Sequence, residues 1–259
     1  MPLLPYKDRH LFVEILGKGK KPSLLFIHPP GMGREVFHYQ KTLSKYFTII
    51  LPDLSGHGDS PYDARNITIH EYVKEIKYIL DFFHIDRSII VGYSAGGTIA
   101  QEFYFRYPER TSSIILLGGY PEVRTRGLML EHQLGMFAVK NFPHFLAKVL
   151  AISHTKDKKV RKKLENHMRK ANVHIWYSFY ELSLNFSCMN RLSLIKCPLL
   201  LIYGTKSDAI NRHVQYYKKY VSCQTAFIKN ATHQLPTKFE SMVNQIIIGF
   251  VQQQGKELP

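Results

Sequence analysis

The 259-residue sequence predicts an α/β fold, a mostly parallel sheet flanked by helices, and three observations carry that reading. Short apolar runs alternate with amphipathic helical ones, the pattern of strands covered by crossover helices. One of those runs ends in Gly-x-Ser-x-Gly and leads straight into a helical segment. The alternation then stops between roughly 121 and 195, where several helical stretches follow one another without a convincing strand.

Strands are expected near 10 to 16, 22 to 28, 47 to 52, 88 to 93, 112 to 118, 198 to 203 and 224 to 229. Thr68 followed three residues later by Glu71 forms a capping box, and Tyr72, Ile76, Ile79, Leu80 and Phe83 continue it at helical spacing. A closing helix is expected from about Pro236 to Gln252, where Phe239, Val243, Ile247 and Phe250 repeat with the same period. A chain of this length suits one domain, 1–259, with 121–195 inserted within it as a helical cap.

A hydrophobic share of 45% with 21% charged residues lies near the globular average and argues against disordered and fibrous classes. Ser113 to Leu117 and Ile246 to Val251 are far shorter than the roughly 20 apolar residues that span a bilayer, so no transmembrane segment is expected. Lys7, Asp8, Arg9 and His10 interrupt the place where a signal peptide would need an apolar run. Cys188, Cys197 and Cys223 are too few and too scattered for a disulfide framework or a zinc site, which makes a cytoplasmic setting the simplest one. The net charge is +15, yet no nucleic-acid recognition motif accompanies it, and no nucleic-acid partner is expected. Between 121 and 195, 13 Lys and Arg stand against 5 Asp and Glu, so +8 of that charge lies in the insertion, concentrated at Lys156, Lys158, Lys159, Arg161, Lys162 and Lys163.

The chemistry centres on Ile89-Ile90-Val91-Gly92-Tyr93-Ser94-Ala95-Gly96-Gly97. The glycines let strand and helix pack around a strained turn that lifts the Ser94 hydroxyl above the sheet. A serine hydroxyl is a weak nucleophile at neutral pH and needs a base, and the base needs a group that orients it. Asp208 follows the strand Leu199 to Tyr203, and His233 follows Ala226 to Lys229, so both project from strand ends on the edge that presents Ser94. Glu122 is the rival acid and His213 the rival base, although His213 sits within an apparent helix. Leu25 to Gly33 is a strand running into a Gly-rich loop suited to presenting a backbone N–H to a reacting carbonyl. His57, in Asp53 to Ser60, precedes Ser94 in the chain and reads as a turn residue.

On these motifs the chain resembles the α/β-hydrolase superfamily in its cap-bearing serine esterase and lipase-like branch, over nearly its whole length. The resemblance implies a nucleophile at Ser94, an acid at Asp208 and a base at His233, with neither metal nor organic cofactor. It implies a carboxylesterase-like hydrolase acting on an ester of a small or medium-sized apolar substrate, and equally admits thioesterases, C–C bond hydrolases, lyases and small-molecule receptors with little turnover. The N–H of Ala95 would be one oxyanion donor. Family members usually carry His-Gly at the other, where this chain has His28-Pro29-Pro30-Gly31. Aligning His28-Pro29 with that pair would make Pro30 the donor, and proline has no N–H. Aligning Pro30-Gly31 instead makes Met32 the donor, with Gly31 as the fallback. The insertion is expected to cover the site, its Phe137, Phe142, Phe145, Trp176, Tyr177 and Phe179 lining the pocket or forming the insertion's own core. Oligomeric state is left open.

Overall fold

The computed structural model describes residues 3–206 and 208–256; the side chains of residues 208, 255 and 256 lie outside that description. Eight strands form one sheet in the order β1-β2-β4-β3-β5-β6-β7-β8. They are β1 (Leu3–Tyr6), β2 (Arg9–Leu16), β3 (Ser23–Ile27), β4 (Thr48–Pro52), β5 (Ser88–Tyr93), β6 (Thr111–Leu117), β7 (Leu199–Gly204) and β8 (Gln224–Ile228). From β4 to β8 neighbouring strands are parallel, while β2 pairs antiparallel with β1 and β4. Every residue of β3, β4, β5 and β7 is buried, as required of parallel strands covered on both faces.

Seven of these strands fall where the apolar runs predict them. The first, β1, does not announce itself, because four residues that include Pro5 make a weak signal. Such a strand is tolerated at a sheet edge, where proline need not donate to a ladder.

The helices are α1 (Ile69–Phe82), α2 (Gly96–Arg106), α3 (Arg126–Asn141), α4 (Pro143–His154), α5 (Lys158–Met168), α6 (Val173–Asn185), α7 (Asp208–Asn211), α8 (Val214–Tyr220), α9 (Leu235–Lys238) and α10 (Glu240–Lys256). Helix α1 begins at the expected cap, the Thr68 hydroxyl accepting from the Glu71 N–H at 3.1 Å. The closing helix is not continuous. It breaks at Phe239 (φ −129°, ψ 30°), so that a short α9 precedes α10. None of the described helices is long and apolar enough to cross a membrane.

Helices α3 to α6 occupy the stretch between β6 and β7 that breaks the alternation. Their aromatics divide in an unexpected way. Trp176 and Phe179 are buried, but Phe137, Phe142 and Phe145 are 60%, 56% and 67% exposed and do not belong to the insertion's core. A core role for those three is therefore corrected: Phe137 and Phe145 lie on outward faces of α3 and α4, and Phe142 is the exposed joint between the two helices.

One feature of the sheet positions the site. The chain leaves β3 to one side to form β4, then crosses to the other side of β3 to form β5. That reversal opens a crevice beyond the carboxyl ends of β3 and β5, where ligands collect in open α/β sheets. The loop from His28 and the turn at Ser94 both start there.

Candidate active site

Ser94 sits between β5 and α2 with φ at +52°, a left-handed conformation that side chains rarely adopt. The turn is held from both sides. The Ser94 N–H donates to the Leu117 carbonyl at 2.8 Å, and the Gly97 N–H to the Ser94 carbonyl at 2.9 Å. A Cβ on Gly92 would lie 2.8 Å from the Gly97 nitrogen, and one on Gly96 would strike the carbonyl oxygens of Ile27 and His28. Both positions must therefore be glycine, and the second presses the turn against the end of β3.

His233, beyond β8, brings Nε2 to 2.8 Å from the Ser94 hydroxyl. Gly118, at the end of β6 with φ +58°, lies under the imidazole, where a Cβ would come within 2.7 Å of Nδ1. Burial pushes the His233 imidazole down to about 3, with His154 and His132 acting in the same direction. It is neutral at neutral pH and able to accept a proton. Its Nδ1 has no partner among the described residues.

Asp208 opens α7 directly after β7; its side chain lies outside the described residues. The loop that carries it is joined to the histidine loop. Lys206 N–H donates to the Ala231 carbonyl at 2.8 Å, Thr205 N–H to Ile228 at 3.0 Å, and Asn230 N–H to the Thr205 hydroxyl at 2.9 Å. The rival Glu122 is engaged elsewhere, its carboxylate accepting from Arg124 Nε at 2.8 Å and from the Ser187 hydroxyl. His213 is also engaged, through Ile210 and the Arg124 N–H.

The loop after β3 turns at Pro29 to Met32, with the Met32 N–H donating to the Pro29 carbonyl at 3.3 Å. Among the described residues the N–H groups of Ala95 and Gly31 have no acceptor. His28 is structural. Its Nδ1 donates to the Pro29 carbonyl at 2.9 Å while Nε2 accepts from the Leu54 N–H at 3.0 Å, tying this loop to the one after β4. His57 stays in its turn, with Nδ1 on the Ser55 carbonyl at 3.1 Å.

A charged cluster beneath these loops escaped the sequence reading. The fully buried Asp53 accepts from the Arg34 N–H at 2.7 Å, the Asp59 N–H at 2.9 Å and His167 Nε2 at 2.9 Å, and pairs with the Arg34 guanidinium. Burial alone would raise its pKa, but His167, Arg34 and the Asp59 amide hold it well below the carboxylate range. Asp53, Asp59 and His167 have the mutual spacing of a metal site, yet the Arg34 guanidinium already lies between both carboxylates. The cluster is an anchor that pins α5 to the loop after β4, with Arg34 tying in the segment after β3. A lone histidine in a lysine-rich helix gives no local sign of such a partner.

The insertion reaches the site at two more points. A Cβ on Gly31 would fall inside the Trp176 indole, and the Tyr93 hydroxyl bridges His154 Nε2 at 3.2 Å and the His233 carbonyl at 3.1 Å. Of these contacts only the one at Gly31, in the Gly-rich loop after β3, carries a local hint that something must pack closely there.

Two of the buried histidines imply a stability profile. Burial lowers His28 to about 4 and His57 to about 3, against about 6.5 in an unfolded chain. Below pH 6.5 the unfolded state therefore binds more protons, and stability falls as pH falls until the folded pKa values are reached. Each histidine is expected to steepen that fall by up to about 1.4 kcal/mol per pH unit. Urea unfolding at pH 7.5 and 5.0 checks this; equal stability at both would contradict it.

Residues 22–234 match the model of the alpha/beta hydrolase fold family. A pimeloyl-[acyl-carrier protein] methyl ester esterase from Wigglesworthia glossinidia brevipalpis is 29% identical over 207 residues, 74% of this chain and 77% of that protein. An uncharacterized protein from Mycobacterium bovis is 31% identical over 120 residues, 45% of this chain, so the match spans about a third (35%) of that relative's length. A structure from work on carboxylesterases of the thaumarchaeon Nitrososphaera gargenis shares the fold, with a TM-score of 0.85 over 99% of this chain and all of that one at 18% identity. Since the matched segment takes in the crevice, the Ser94 turn and the His233 loop, the chain belongs to the α/β-hydrolase superfamily.

Proposed function

We propose that this protein is a serine hydrolase cleaving carboxylic esters of small or medium-sized apolar substrates through Ser94, His233 and Asp208. The observation that carries the reading is the 2.8 Å contact between the Ser94 hydroxyl, on its strained turn, and Nε2 of a neutral His233. The ester esterase relative supports the bond type.

Ser94 attacks the acyl carbonyl as His233 takes its proton; the imidazolium then returns that proton to the leaving alcohol. Water, activated by the same histidine, releases the acid. An imidazole with a pKa of about 3 would be a feeble base, since general bases work best near the operating pH. A carboxylate at Nδ1 is the remedy, and Asp208 lies on the loop joined to the histidine loop. The insertion acts as the cap, pressing Trp176 onto Gly31.

Turnover of p-nitrophenyl esters of increasing acyl length tests the reading. Repeated cycles on short and medium chains are expected, with Trp176→Ala shifting the length preference and leaving the reaction type alone. No turnover of any ester would overturn it.

Ala95 and Met32 are the proposed oxyanion donors. The Met32 bond to Pro29 is long at 3.3 Å and can be shared with or given up to an oxyanion. Replacing the Met32 amide by an ester linkage through semisynthesis is expected to lower kcat by about 100- to 1000-fold, as loss of one such donor does. Full kcat in that variant would pass the role to Gly31.

A further inference from the structure

Helices α3 and α4 are apolar on two opposite faces. In α3 the buried positions are Leu128, His132, Gly135 and Val139, and on the other side Leu130, Leu134 and Phe137 recur at i, i+4 and i+7, each more than half exposed. In α4 the buried positions are Ala147, Ala151 and His154, and Phe145, Val149 and Ile152 repeat the same spacing on its outer side. At 100° per residue each outer stripe lies nearly diametrically opposite its buried stripe. The two stripes meet at the corner between the helices, where the Phe137 and Phe142 rings are 6.3 Å apart. A surface helix ordinarily turns a polar face to water, and a continuous apolar patch of this kind marks an interaction site.

The surroundings say what it would meet. Between residues 126 and 168, Lys and Arg outnumber Asp and Glu nine to three. Lys140 and Lys148 rise from α3 and α4 themselves, and Lys156, Lys158, Lys159 and Lys162 are exposed on and beside α5, which packs against α4. Of the lysines in this stretch only Lys163 is drawn into an ion pair among the described residues, with Glu35 at 2.9 Å. A second copy of the chain would bring two strongly basic surfaces together and be repelled. Nucleic acid would satisfy the lysines but leave the phenylalanines in water. An anionic lipid surface answers both, with apolar side chains entering the acyl boundary while lysines reach the headgroups.

We propose that the outer face of α3 and α4 is an interfacial docking surface for anionic membranes, with α5 supplying the attraction to headgroups. The helices lie flat on the bilayer and do not cross it. This places the protein where amphiphilic molecules concentrate, and it stands independently of the reaction assigned to Ser94.

Sedimentation of the full chain with vesicles of phosphatidylcholine alone, or mixed with phosphatidylglycerol, tests it. Binding to the mixed vesicles is expected to be at least about tenfold stronger than to neutral ones and to weaken with salt. The double variant Leu134→Glu, Phe145→Glu is expected to lose at least about tenfold of that binding, with an unchanged circular dichroism spectrum showing that it folds. Lys158→Gln, Lys159→Gln, Lys162→Gln together are expected to flatten the salt dependence. Equal sedimentation with both vesicle types, no sedimentation at all, or unaltered binding by the double variant would overturn the proposal. So would a wild-type dimer in analytical ultracentrifugation that the double variant abolishes while no vesicles are bound, which would assign the face to self-association.

Discussion

Replacement of Ser94 by alanine is expected to lower kcat/KM on the best ester by about 10⁴-fold or more, the scale set by removing the nucleophile of a triad. A fluorophosphonate should label the wild type once and the variant not at all. The loss belongs to chemistry and not to folding. Alanine carries the same Cβ into the same left-handed turn, whose Leu117 and Gly97 backbone bonds do not involve the hydroxyl. Only the contact with His233 disappears, at a cost of about 1 kcal/mol in stability. A variant that unfolds at the wild-type urea midpoint yet no longer labels would separate the two effects. Labelling that persists in Ser94→Ala would place the nucleophile elsewhere and remove the foundation of the proposed mechanism.

His233→Ala is expected to cost as much as Ser94→Ala, and Asp208→Asn about 10⁴-fold, because an amide would hold the imidazole in the wrong tautomer. Both act on one proton transfer, so the double variant should resemble the worse single variant instead of their product. Glu122→Gln serves as the contrast. Its carboxylate is occupied by Arg124 and Ser187, and its loss should leave turnover within a few-fold of wild type. Near-normal kcat in Asp208→Asn beside an inactive Glu122→Gln would move the acid to the end of β6.

The features that were legible are those written in local periodicity and turn chemistry. Seven strands follow from buried apolar runs, and α1 from its Thr68 cap. The elbow follows from glycines at the places where a Cβ would strike neighbouring backbone. What failed did so for reasons equally local. Pro5 masked an edge strand, and the break at Phe239 interrupts a periodicity that continues unchanged on either side.

By itself the sequence determined the α/β alternation, the helical stretch that interrupts it, and Ser94 and His233 as residues that follow strands. It could do so because strand and helix periods and the elbow's glycine spacing are properties of neighbouring residues. Only the tertiary structure decided that Ser94 and His233, 139 residues apart, come within hydrogen-bonding distance. It alone decided that Asp53, Arg34 and His167 form one buried anchor, since a contact across 114 residues leaves no mark on the residues around either partner. It also decided which aromatics of α3 to α6 are covered. Trp176 and Phe137 are alike in hydrophobicity and both lie on helices, but the indole is pressed onto Gly31 while the phenyl ring faces outward. An apolar side chain records that it favours leaving water; what it leaves water for is set by the surface that the rest of the chain brings to it.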